Sequence, residues 1–187
     1  MIGSVAFTWL VARSAGIVAW GLIVASMTWG LLMATRALGR KPSPAWMLAM
    51  HRWFGALGVI FTAVHVTAIL LDRFVTLGVV DVLVPFASSY KTLPVALGVV
   101  GMYLLLAVQL TSLARARFSP KTWRSIHLLS YGLFALTTVH GLSAGTDTHV
   151  VLSSGAAFVV GAIAVFVGGT MWWKRSAPRP IRVTVNA

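Results

Sequence analysis

Residues 123–145 read WRSIHLLSYGLFALTTVHGLSAG, an apolar run long enough to cross a bilayer that carries two histidines, His127 and His140. An earlier stretch echoes it. Residues 46–71 read WMLAMHRWFGALGVIFTAVHVTAILL, with His51 and His65 near the two ends of an apolar segment. The separations are 14 and 13 residues, so the two stretches look like a matched set around which the rest of the chain is built.

Composition sets the medium. Of the 187 residues 58% are hydrophobic and 10% charged, and the mean hydropathy is +0.89. Such a chain has too few polar side chains to cover a water-soluble core, so it reads as an all-α integral membrane protein. A helix needs about 20 apolar residues to span the hydrocarbon layer. Five segments qualify, at about 5–34, 45–71, 93–113, 123–144 and 150–173. Short connections predict a five-helix bundle whose consecutive helices run antiparallel, with residues 1–175 as one transmembrane domain and 176–187 as a short basic tail.

The net charge of +12 would suggest nucleic acid in a soluble protein, but its placement gives another cause. Arg36, Arg40, Lys41, Arg52, Arg115, Arg117, Lys121, Arg124, Lys174, Arg175, Arg179 and Arg182 fall on one side of the predicted bundle. Arg73 and Lys91 fall on the other, together with all three acids, Asp72, Asp81 and Asp147. The positive-inside rule then places the N-terminus outside and the C-terminus in the cytoplasm of a multi-pass cell-membrane protein in contact with lipid, and no nucleic-acid partner is expected. Trp46, Trp53, Trp123, Trp172 and Trp173 collect at the cytoplasmic helix ends, as an interfacial belt does. With no cysteine, disulfides, iron–sulfur clusters and thioether-linked haem are excluded. The opening residues lack a basic n-region and a clear cleavage site, so they read as part of a retained helix rather than a signal peptide.

Arg13 lies about two turns inside the first span, where it either snorkels outward or meets a buried anion. In the second span His51 and His65 are about 21 Å apart along the axis and about 40° apart in azimuth, effectively on one face. Gly55 and Gly58 share that face and would let a flat group approach the backbone, or would serve helix packing. The segment 72–92 is broken by Asp81 and Pro85 and reads as interfacial, lying over the outer end of the bundle. The third span has Gln109 as its strong polar residue and reads as a support, with Gly98 and Gly101 for packing. The second and fourth spans run the same way, so topology sets His127 level with His51 and His140 level with His65. The 13-residue spacing puts His140 about 100° from the position facing His127, which predicts a local irregularity in that helix or an azimuthal offset of the outer pair. Asp147 and His149 follow at the outer surface, where they are ordinary loop residues or contacts for an acceptor or a metal.

Buried histidines can be structural, can line a proton or cation path, or can bind a metal. Four of them at two matched depths suit the axial ligation of two haems by His51/His127 and His65/His140, and the carboxylates or thiolates that complete a bare transition-metal shell are missing.

On these residues, and on the run LVARSAG around Arg13, the chain resembles the ferric reductase-like transmembrane family, which includes NADPH oxidases and the haem subunit of the bacterial methionine sulfoxide reductase system. The resemblance covers about 5–173. It implies two haem b groups with His51, His127, His65 and His140 as axial iron ligands, and Arg13 beside a haem. The chain departs from the larger members in having no G-x-G-x-x-G motif and no length for a flavin or nicotinamide domain. Electrons are then expected from a separate flavoprotein or a quinol on the cytoplasmic side, with any flavin on that partner, and to leave for an outer redox protein or a ferric chelate. Direct reduction of ferric chelates or oxygen, and a haem-free proton path or assembly subunit, are the alternatives.

Overall fold

A computed structural model describes residues 2–36, 38, 42–73, 75–145 and 168. The predicted fifth span at 150–173, the tail 176–187, Asp147, His149, Trp172, Trp173 and the basic residues Arg40, Lys41, Lys174, Arg175, Arg179 and Arg182 lie outside the described residues or carry no described side chain. Among the described residues the chain is all-helical, with no strand.

Helix α1 runs Ile2–Thr35, α2 Pro44–Leu71, α3 Val79–Leu83, α4 Thr92–Leu113, α5 Pro120–His127 and α6 Ser130–Ala144, with a 3-10 turn at Arg115–Arg117. Three of these are long and apolar enough to cross a membrane: Phe7–Thr35, Pro44–Leu71 and Thr92–Leu113. The span expected as one helix over 123–144 is instead two pieces, α5 and α6, joined at Leu128–Leu129. The joint keeps helical dihedrals but winds more tightly. Leu129 N–H donates to the Ile126 carbonyl at 3.0 Å and Tyr131 N–H to that of Leu128 at 3.2 Å, both one residue short of the α pattern. Each 3-10 residue turns about 120° instead of about 100°, so the joint rotates the far end of the helix relative to His127.

The two histidine helices begin alike. Ser43 caps α2 with its hydroxyl accepting from Trp46 N–H, and Ser119 caps α5 by accepting from Thr122 N–H at 3.1 Å. Proline follows each cap, where its missing N–H costs nothing. His51 stands seven residues after Pro44, and His127 seven residues after Pro120. Each cap therefore sets a histidine about 10 Å along its helix. This repeat is readable in the sequence as Ser-Pro followed by histidine seven residues after the proline.

Packing joins α1 to α2 and α4 to α6 most closely, both antiparallel, while α2 and α6 have little close backbone packing between them. On α1 the buried stripe Ala12, Ala15, Ala19 and Ile23 repeats every three or four residues and is small enough for close helix approach. At mid-depth Ile23, Leu105 and Leu133 form a buried cluster with Val59 and Leu104 against it. Large apolar residues such as Leu10, Ile17, Ile60, Leu110 and Val139 remain exposed on the outside of the bundle, the pattern of a protein whose solvent there is hydrocarbon.

Further contacts close the end that holds Asp72 and Asp81. Thr8 donates to buried Asp72 at 2.7 Å, and Val75 N–H donates to its other oxygen at 3.0 Å. Lys91, in a left-handed backbone conformation, donates to the carbonyls of Ser143 and Ala144 at the C-terminus of α6. Within the segment between α2 and α4, α3 packs on the flank of α4, where the Tyr103 hydroxyl, eleven residues into that helix, donates to the Leu83 carbonyl.

Candidate functional site: two histidine pairs

At the end rich in Arg and Lys, here the basic end, His51 of α2 and His127 of α5 have ring centroids 5.9 Å apart at 64°. His51 donates from Nδ1 to the Ser26 carbonyl at 2.9 Å, with the Ser26 hydroxyl 3.3 Å from the same nitrogen. Its ring lies over Gly30, where an added Cβ would come within 3.1 Å of it. His127 differs. Its Nδ1 is 3.4 Å from the Ser112 hydroxyl, and its ring stacks on Trp123 with centroids 4.8 Å apart and 21° between planes. The Arg115 guanidinium carbon stands 4.7 Å from the centroid of that indole.

At the other end, which holds Asp72 and Asp81, His65 of α2 and His140 of α6 have centroids 6.3 Å apart at 82°. His65 donates from Nδ1 to the Ala12 carbonyl at 2.6 Å, and His140 to the Pro94 carbonyl at 2.7 Å. An added Cβ would stand 2.9 Å from the His65 ring at Gly16 and 2.7 Å from the His140 ring at Gly98.

A single device recurs in these contacts. A carbonyl at position i accepts the imidazole N–H, and a glycine at i+4 leaves room for the ring above it: Ala12 with Gly16, Ser26 with Gly30, Pro94 with Gly98. Three histidines have such seats among the described residues. The two seats on α1 are 14 residues apart, the same interval that separates His51 from His65 on the antiparallel α2. The sequence alone does not mark these seats, because a glycine four residues after any residue is common, and meaning comes only from the ring that lands there. The glycines singled out on α2 do something else. Gly58 packs on Leu22 and Ile23 of α1, and Gly55 on Gln109 and Ser26, so both serve helix packing. Gly98, expected to serve packing, instead receives a histidine.

Arg13 follows Ala12 and precedes Gly16 by about one helical turn, which sets it at the level of the His65 seat on α1. Its guanidinium carbon is 5.8 Å from the Trp9 ring centroid. Between the two levels Trp20 N–H donates to the Thr138 hydroxyl at 3.0 Å, tying α1 to α6.

A carbonyl oxygen only accepts, so the proton of His51, His65 and His140 is on Nδ1, and Nε2 is left with its lone pair. Two imidazoles bound on opposite sides of one metal, at about 2 Å per nitrogen, have centroids about 6 Å apart. Both pairs have this separation. Among the described residues no three His, Asp or Glu side chains converge, so a bare transition metal would lack ligands, whereas a porphyrin brings its own equatorial nitrogens and needs two. The indole N–H groups of Trp29 and Trp123, both at the basic end, are buried with no hydrogen-bond partner among the described residues, a condition that a bound group with acceptor atoms relieves. Donor set, spacing and these two donors all fit haem.

Residues 7–147 match the model of a family described as a domain of unknown function, DUF8596, and the chain belongs to that family. The match spans both histidine pairs. No curated protein and no solved structure matches the chain.

Proposed function

We propose that this member of the family is a di-haem transmembrane electron-transfer protein, with one haem b held by His51 and His127 and a second by His65 and His140. The observation that carries the reading is the meeting of four histidines from α2, α5 and α6 as two pairs, 5.9 and 6.3 Å between ring centroids, near opposite ends of one bundle. It also supports the kinship with the ferric reductase-like transmembrane family suggested by the histidine spacings.

Haem supplies one-electron cycling between ferric and ferrous iron. The chain's own work is to hold and tune. The seats on α1 and α4 fix the tautomer and azimuth of His51, His65 and His140, which presents Nε2 as the ligand atom. Arg13 provides a cation at the level of His65 for a haem carboxylate. The bundle is a multi-pass protein of the cell membrane, with a fifth span over 150–173, the N-terminus outside and the basic end in the cytoplasm. That end receives electrons from a quinol or from a separate flavoprotein whose acidic surface its arginines attract, and an outer redox protein or ferric chelate accepts them.

The visible spectrum of the purified protein, oxidised and then reduced with dithionite, tests this together with pyridine haemochrome stoichiometry. Two haem b per chain is the expected result. A folded preparation without haem overturns it and returns the histidines to proton-path or structural roles.

A further inference from the structure

The two pairs are built from the same side chains yet held differently, and the difference has a direction. At the acidic end both imidazoles donate short hydrogen bonds to backbone carbonyls, at 2.6 and 2.7 Å. At the basic end His51 makes a longer one, at 2.9 Å, and His127 has the Ser112 hydroxyl at 3.4 Å, with no carbonyl accepting from it among the described residues. A stronger acceptor on Nδ1 makes the imidazole a more basic ligand, and a more basic ligand favours ferric over ferrous iron.

Charge points the same way. Around the basic-end pair stand Arg115, stacked through Trp123, Arg52 beside His51, and Arg124 one turn before His127. Neither acid of the described residues is there. Around the acidic-end pair the cations Arg13, Arg73 and Lys91, the last donating to the Ser143 and Ala144 carbonyls one turn past His140, are offset by Asp81 and by Asp72, whose carboxylate is buried two turns beyond His65 on the same face of α2. Positive charge near an iron favours the state that has gained an electron, and it acts most strongly where water is scarce.

We infer that the sites are unequally poised, with the His51/His127 site at the basic end taking the first electron and the His65/His140 site the second. This rests on the di-haem reading above. Each step is a one-electron reduction of ferric to ferrous iron by the added reductant, with no bond made or broken in the chain.

The test is a spectroelectrochemical titration of the full chain, with His140→Ala to leave the basic-end haem alone for assignment. Two steps are expected, separated by at least tenfold in reduction equilibrium, which is 59 mV for one electron. The single step of His140→Ala should coincide with the higher one. Arg115→Gln should lower the higher step and leave the lower in place, and Arg115→Lys should restore it. Nitrogen-15 spectra of the haem-free protein, labelled at histidine, provide a readout without haem: Nδ1–H fixed at His51, His65 and His140, and a tautomer mixture at His127. Two haems with coincident or reversed steps, or a His127 tautomer as fixed as the others, overturn the inference while the conduit stands. Absence of haem is a different result and defeats the conduit itself.

Discussion

The α1–α2 half of the bundle and the α4–α6 half solve the same placement problem in different ways. In the first, an unbroken helix bears histidines 14 residues apart, and its partner bears two seats at the same interval, so each ring finds a carbonyl and a glycine. In the second, the spacing is 13, the helix is broken just past His127, and α4 supplies one seat, Pro94 with Gly98. A near-integral number of turns lets a straight helix present two side chains to one neighbour. A spacing off by one residue requires a change of winding, and here it comes with a less firmly held ligand at the joint.

The largest effect expected from this contrast comes from restoring the missing residue. One alanine inserted after Leu129 rotates His140 by about 100° away from Gly98 and His65, and should reduce haem from two per chain to one. A retained second haem would show that the joint absorbs the rotation. Filling the seats comes next. Gly98→Ala and Gly16→Ala force a ring to shift from contacts of 2.7 and 2.9 Å and should each cost about 1–3 kcal/mol, with Gly30→Ala, at 3.1 Å, costing less. Unfolding in detergent measures the series. Gly21→Ala is the control: nothing stands within 4 Å of its Cβ, so it should be neutral or stabilise by up to about 1 kcal/mol. Equal effects at all four positions would sink the seat as an explanation.

The shared beginning of α2 and α5 can be tested in the same assay. Ser43→Ala and Ser119→Ala should each destabilise by about 1 kcal/mol. The Ser119 change should act more on the His127 end, since α5 is a short helix. Comparable in size is Trp20→Phe, which removes the 3.0 Å bond to Thr138 and should cost about 0.5–1.5 kcal/mol without altering haem content.

Much of this architecture is legible in the sequence. The three long helices begin and end within three residues of the apolar segments, because hydrophobic length is a strong signal and Ser43-Pro44 marks the start of α2. The pairing of His51 with His127 and of His65 with His140 follows from topology, and the irregularity between His127 and His140 follows from helical arithmetic. The seats are not legible, because Gly16, Gly30 and Gly98 carry no chemistry until a ring from another helix lies on them. Trp123 reads as an interfacial anchor from position alone. Its stacking on His127, four residues further along α5, is an i,i+4 contact that helical spacing makes legible.

The apolar cluster of Ile23, Leu105 and Leu133, with Val59 and Leu104 against it, fills the middle of the bundle between the two histidine levels. In a bilayer-spanning bundle of the proposed kind such a layer is an electrical insulator, and the membrane voltage falls largely between the pairs. The pairs are about 21 Å apart in a hydrocarbon layer of about 30 Å. A charge moving from one to the other therefore crosses about two thirds of the field, worth about 1.5 kcal/mol per 100 mV. Under the proposed function, the distribution of an electron between the two ends becomes a readout of membrane potential, and an energised cell sets it differently from a detergent micelle.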